Sequence, residues 1–292
     1  MRSNLRSSEF TPLAATALWP FTRPGPADGS SRRQKLLLLA IAAGAYALAF
    51  GWPIHLAVQR LTAPATDLVA GESDVWLGVA FNVLAIIVAL ATLVAFKMAR
   101  APLSAGRLTT LSLRSAFYAA GIWVLSQMLS APISAVVDAS SASHDSPEIS
   151  MQADRGLQLV YWITWSIAAG VSEEIIANAA VVRTCELWNV PTWLMYVLVV
   201  VARLSFHIYY GLAVIEKVLW ALMSAWAYRQ GRLLWPLIGI HVLLDALTAV
   251  QASVDAPQLS VVSTLITVAL VTYVIACLVF RSRRTHRAGT DG

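Results

Sequence analysis

The chain has 292 residues, of which 58% are hydrophobic and only 13% charged, with a formal net charge of +5 and a mean hydropathy of +0.66. Soluble globular domains carry about 25% charged residues, so the composition excludes a soluble enzyme and implies a polytopic membrane protein. The bases cluster at the ends of apolar runs, where they serve as topology signals and lipid-headgroup contacts, and so no nucleic-acid partner is expected.

Residues 1–35 are rich in Pro, Ser and Arg and read as a disordered basic tail, since Pro12 and Pro20 interrupt the one short apolar run that a signal peptide would need. About eight apolar spans follow, each long enough for a membrane helix. They lie near Leu36–Val58, Val75–Ala99, Ser115–Val137, Leu157–Val182, Trp193–Tyr210, Leu212–Tyr228, Leu233–Val250 and Leu259–Phe280. Gly211 sits between the fifth and sixth spans, as the residue for a tight turn. The expected fold is all-α, a polytopic transmembrane helical bundle. Its divisions are a tail over 1–35, scaffold helices over 36–150, a catalytic helical core over 151–255, and a last helix with a basic tail over 256–292.

Basic residues alternate with acidic ones from loop to loop. Arg32, Arg33 and Lys35 precede span one, Lys97, Arg100 and Arg107 follow span two, Arg183 follows span four, Arg229 and Arg232 follow span six, and Arg281, Arg283, Arg284 and Arg287 follow span eight. The intervening loops carry Asp67, Glu72, Asp74, Asp138, Asp145, Glu148, Asp154 and Asp255. The positive-inside rule then predicts both termini in the cytoplasm. Trp76, Trp193, Trp235 and Tyr161 stand near span ends as interfacial anchors.

The informative residues are the polar ones inside spans. Glu173 and Glu174 are adjacent in an otherwise apolar stretch, with Asn178 one turn on. Arg203 and His207 fall in span five, Glu216 and Lys217 in span six, His241 and Asp245 in span seven. A charged side chain at the bilayer centre costs roughly 2.5–3.5 kcal/mol, so these positions call for mutual pairing or for function. Glu174 and Asn178, Arg203 and His207, and His241 and Asp245 are each four residues apart, which places each pair on one helix face. At ~1.5 Å per residue, Glu173 lies ~15 Å from Arg183, His241 ~12 Å from Leu233 and His207 ~20 Å from Trp193. One buried site between the midplane and the cytoplasmic side is expected. Glu216 and Lys217 read instead as a snorkelling pair at the outer end of span six.

Two histidines with one or two carboxylates are the ligand set of a catalytic divalent-metal site, which keeps one position open for water. The same residues also suit a metal-free reaction, in which Glu173 activates water and the histidines polarise the carbonyl and protonate the leaving amine. These two chemistries stay open. A His-Glu-x-x-His zincin motif is absent.

The pattern Glu173-Glu174-x-x-x-Asn178, then Arg203-x-x-Phe206-His207, then His241-x-x-x-Asp245 resembles the three signatures of the CPBP family of CAAX proteases and bacteriocin-processing enzymes. Those signatures are Glu-Glu-x-x-x-Arg, Phe-x-x-x-His and His-x-x-x-Asn or Asp, on separate membrane helices. The resemblance implies an intramembrane endopeptidase acting on membrane-associated or lipid-modified peptides. It implies Glu173 as the water-activating base, Glu174 as its support or a metal ligand, and His207 and His241 as metal ligands or oxyanion stabilisers. The metal would be a divalent ion such as Zn2+, held by Glu174, His207 and His241. Asp245 takes the place of the family's Asn or Asp. Two positions depart from the pattern: Asn178 replaces the Arg of the first signature and Arg203 the Phe of the second. Arg203 is expected to supply the lost positive charge by pairing with Glu174.

A non-proteolytic membrane scaffold or immunity protein is the second reading, and an ion-coupled transporter the third. Transporters show inverted repeats and broken helices in both halves, and no repeat is visible here. The expected location is a bacterial-type plasma membrane, with the bilayer and a membrane-associated peptide or protein substrate as partners.

Overall fold

A bilayer offers no water to backbone amides, so each apolar run must satisfy its own hydrogen bonds as a helix. The computed structural model describes residues 30–62, 69–104, 113–139 and 150–253. In chain order these form α1 (Arg32–Thr62), β1 (Val69–Gly71), α2 (Glu72–Met98), α3 (Leu113–Ala139), β2 (Ser150–Gln152), α4 (Arg155–Ser172), a π-helical segment (Glu173–Ala180), α5 (Val181–Leu187), α6 (Thr192–Leu204), 3-10 turns at Ile208–Tyr210 and Leu212–Ile215, α7 (Glu216–Gly231) and α8 (Leu234–Ser253). The protein is a helical membrane protein. Among the described residues, four stretches are long and apolar enough to cross a bilayer: Arg32–Gln59, Glu72–Met98, Ser115–Val137 and Arg155–Leu187. Thr192–Leu204 and Leu234–Ala249 are shorter apolar helices. The eighth expected span, the C-terminal tail and residues 1–29 lie outside the described residues; the expected disordered tail over 1–35 is corrected at its end, where Arg32–Lys35 already form the first turn of α1.

α4, the π segment and α5 run on as one helix through the middle of the bundle. α4 packs against α2 on one side and α8 on the other; α3 packs against α7 and α8, and α6 against α7. The start of α4 is fixed by Asp154, whose carboxylate accepts the Leu157 N–H at 3.0 Å, the usual N-cap device. α2 begins with Glu72 and Asp74 and ends with Lys97, charges that complement its dipole. β1 and β2 pair in parallel, Val69 opposite Ser150 and Gly71 opposite Gln152, and tie the loops before α2 and α4 together. Leu37, Leu48, Leu77 and Ile87 on α1 and α2 remain exposed, as expected of side chains that meet lipid rather than water.

Gly170 is the position of closest approach between α4 and α8. A Cβ there would lie 2.5 Å from Val242 Cγ2, 2.9 Å from the Val242 backbone nitrogen and 3.2 Å from the Ile238 carbonyl. The missing side chain lets the two backbones touch and so fixes how near α8 brings His241 to the π segment.

The fifth expected span differs from the structure. A helix was expected over Trp193–Tyr210, but α6 ends at Leu204. Ser205 turns its hydroxyl back onto the Ala202 carbonyl at 3.0 Å and the His207 N–H closes a tighter turn onto Leu204. The chain then reverses at Gly211, which has φ 60° and ψ −135°, a conformation that glycine adopts freely. The expected turn at Gly211 is therefore present. Trp76 and Trp193 are exposed at helix ends, whereas Trp235 packs against the core.

Candidate active site

The π segment carries the two glutamates. Its i→i+5 bonding widens the helix and changes which side chains face inward, a local geometry concentrated at functional sites. All eight of its residues are buried, so Glu173, Glu174 and Asn178 all point into protein.

Glu174 is the hub. Its Oε1 lies 2.5 Å from Arg203 Nη2 and 3.0 Å from His241 Nδ1, and its Oε2 accepts from Asn178 Nδ2 at 2.9 Å. The carboxylate is fully buried, a state that is stable only with this degree of pairing. Arg203, 1% exposed, also places Nε 3.4 Å from Glu173 Oε2 and donates from Nη1 to Ser224 at 3.3 Å. His241 holds its second nitrogen 3.4 Å from Asp245 Oδ2, so the imidazole stands between two carboxylates. The pairing of Arg203 with Glu174 expected from the sequence is present.

Glu173 is placed differently. Its residue is 8% exposed against 0% for Glu174, and the ion contact to Arg203 is the longer one. Of the two neighbouring carboxylates, Glu173 is thus the less enclosed and the less tightly paired.

The structure joins Glu173, Glu174, Asn178, Arg203, His241 and Asp245 in one chain of contacts. His207 contacts it through the Arg203 carbonyl. The expectation that Arg203 and His207 share a helix face is corrected: His207 lies beyond the end of α6, with Nδ1 3.1 Å from the Arg203 carbonyl. A carbonyl only accepts, so Nδ1 is the donor in this contact. Its ring sits between Phe206 (centroids 4.6 Å) and Tyr210 (5.9 Å, nearly parallel), and Phe206 stacks in turn on Phe50 of α1 at 4.2 Å. The Glu216–Lys217 step starts α7 outside the cluster. Lys217 Nζ lies 5.7 Å over the Tyr210 ring, and the Glu216 carbonyl accepts from Ser130 at 2.9 Å.

Several neighbours of the site were not singled out by the sequence. Trp220 of α7 lies beneath Arg203, with Cζ 5.6 Å from the ring centroid, and meets His241 edge-on at 5.9 Å. Trp123 of α3 lies 4.8 Å from His241 and 4.4 Å from Trp220. The two indoles wall off the charged cluster. Tyr46 of α1 donates to the Ala202 carbonyl at 2.6 Å and contacts Ser205, pinning the turn that carries His207. The signal available was spacing: Trp220 and Ser224, four residues apart, share the face of α7 that meets Arg203.

These contacts bear on the expected metal. Among the described residues, no group of three or more His, Cys, Asp or Glu side chains is arranged to hold one ion. The intended ligands Glu174 and His241 are bonded to each other, and His207 faces its own backbone. The described residues as placed do not form a metal cage.

With this geometry in hand, comparison with known families is decisive for one segment. Residues 155–247 match the family described as type II CAAX prenyl endopeptidase Rce1-like. This segment is similar to the Rce1-like family. The match runs from the start of α4 into α8 and takes in every residue of the Glu174 network, in agreement with the CPBP resemblance of the three signatures. No curated protein and no solved structure matches the chain. At the level of the Rce1-like family the activity is that of an intramembrane endopeptidase. Tyr46 and Trp123 stand outside the Rce1-like segment yet contact it, so α1 and α3 complete its walls.

Proposed function

We propose that the protein is an intramembrane endopeptidase that hydrolyses a peptide bond of a membrane-associated, lipid-modified substrate, with Glu173 as the base that activates water. The observation that carries this reading is the unequal placement of the two glutamates. Glu174 is committed to Arg203, His241 and Asn178, whereas Glu173 keeps one 3.4 Å contact and residual access.

In the reaction, Glu173 takes a proton from water and the oxygen adds to the substrate's carbonyl carbon. The C–N bond then breaks, and the proton held by Glu173 passes to the departing amine. Arg203 contacts both glutamates, offsets part of their charge and keeps Glu173 turned toward the water. His241, held by Glu174 and Asp245, fixes the opposite wall. His207 sits on its own turn at the half-buried edge of the site, where its Nε2 meets the substrate. Prenylated CAAX peptides are the substrate class that the family match supports, and a bacterial-type plasma membrane is the location that the charge pattern supports.

The test is Glu173→Gln in the full-length protein, reconstituted in vesicles with a prenylated CAAX reporter peptide. Cleavage should fall by about 10²–10⁴-fold, the usual contribution of a positioned general base, with the melting temperature of the wild type. Cleavage by the variant at the wild-type rate would overturn the assignment. A wild-type protein that retains its folded melting transition but cleaves no prenylated peptide would favour the non-proteolytic scaffold instead.

A further inference from the structure

A second buried charge cluster lies away from the glutamates, at the end of the bundle that the basic residues assign to the cytoplasm. Arg183 of α5 places Nη1 3.1 Å from Glu186 Oε2. Arg232, just after α7, donates from Nη2 to the same oxygen. Two guanidinium groups thus share one carboxylate oxygen, and the trio carries a net charge of +1. The Arg232 side chain is 5% exposed and the Arg183 side chain 11%. Arg183 Nε and Arg232 Nη1 are buried with no hydrogen-bond partner. Buried N–H donors on charged groups are rarely left unmade, because each forfeits its hydration without return.

The cluster is held in shape. Arg232 is the left-handed cap that ends α7, with φ 53° and its N–H returned to the Tyr228 carbonyl, which fixes its backbone. Its guanidinium carbon lies 5.0 Å over the Tyr228 ring, and the Tyr228 hydroxyl donates to the Leu103 carbonyl at 2.7 Å. Glu186 is the one acidic group that contacts either arginine among the described residues.

We propose that Arg183 and Arg232 form a phosphate-binding site, filled by the headgroup phosphate of an anionic phospholipid. Planar guanidinium groups match phosphate oxygens in paired hydrogen bonds. A phosphate supplies acceptors for the two orphaned donors and offsets the excess positive charge. The depth suits it: Arg183 and Arg232 flank helix ends at the interface, where anionic headgroups lie. Arg183 is nine residues from Glu174 along the same helix, roughly 13 Å, so the phosphate site is separate from the peptidase site and does not depend on its assignment.

The experiment measures the melting temperature of purified full-length protein in neutral detergent, with added phosphatidylglycerol, phosphatidylcholine or inorganic phosphate. Phosphatidylglycerol should raise it by about 5 °C and phosphatidylcholine should not. Inorganic phosphate that reproduces the full rise would support the site with a free anion as its source; no effect from it would support the lipid. Arg183→Gln with Arg232→Gln should remove the response. Since that double variant is at risk of misfolding, Glu186→Gln provides the second arm. It removes the competing carboxylate, raises the cluster to a net charge of +2 and should enlarge the response to phosphatidylglycerol. A purely structural ion pair predicts lower stability in Glu186→Gln with no larger response. That result, or an equal response in wild type and the double arginine variant, would overturn the proposal.

Discussion

Gly170→Ala tests whether the approach of α8 to α4 sets the site geometry. A methyl group at residue 170 would lie 2.9 Å from the Val242 backbone nitrogen and 3.2 Å from the Ile238 carbonyl. These are backbone atoms, which cannot rotate aside. Restoring an ordinary contact of about 3.4 Å to the Val242 nitrogen requires the helices to part by about 0.5 Å, and overpacking of this kind costs roughly 1–3 kcal/mol. His241 is the residue before Val242, so the same movement lengthens its 3.0 Å contact with Glu174 toward 3.5 Å, past good hydrogen-bond geometry. Misplacement by 1 Å can cost about 10²-fold in rate, and half that distance corresponds to roughly tenfold. The assay is cleavage of a prenylated reporter in vesicles, with the melting temperature measured in parallel. Gly239→Ala is the control, on the facing helix α8: nothing lies within 4 Å of its added Cβ, and replacing a helical glycine should stabilise by roughly 0.5–1 kcal/mol. Wild-type rate and stability in Gly170→Ala would refute the reasoning, as would equal losses in both variants.

Other substitutions address the charged network. Arg203→Gln removes the cation that both glutamates contact, and breaking a buried pair of this kind should cost roughly 3–5 kcal/mol; the melting temperature reads this directly. Trp220→Ala removes the surface beneath Arg203 and should cost roughly 3–5 kcal/mol, while Trp220→Phe should keep most of the activity; equal behaviour of the two variants would show that the ring is immaterial. Asp245→Asn matches the alternative residue of the family signature and should retain cleavage within about tenfold. Incubation with a strong chelator followed by desalting should leave the rate unchanged, as the bonded state of Glu174, His207 and His241 suggests; activity lost and then restored by added Zn2+ would overturn the metal-free reaction.

The first four spans were legible because runs of about 20 apolar residues have one stable form in lipid. The pairing of Arg203 with Glu174 was legible for a related reason: a buried cation and a buried anion in neighbouring helices need each other. The π segment was not legible. Its sequence, Glu173 to Ala180, is equally compatible with i→i+4 bonding, and the choice is made by packing against the surrounding helices. The end of α6 was hidden because Ser205 and Phe206 continue an apolar helical pattern, and only the capture of Ser205 by Tyr46 from a distant helix marks the turn. Trp123 and Trp220 were passed over because an aromatic residue within a span has the same sequence appearance whether it faces lipid or an arginine.

The placement of the two glutamates also constrains how the molecule is made. The stretch Arg155–Leu187 is the least apolar of the four crossing candidates and the most enclosed by protein, and it brings two carboxylates into the bilayer. Arg203, the cation that contacts both, follows about thirty residues later in the chain, on a helix of only 13 residues. Neither segment is a favourable passenger alone, since each carries a charge that lipid rejects. The glutamate helix and the arginine helix therefore depend on each other in lipid: the charge that each brings is offset only when the two are packed together.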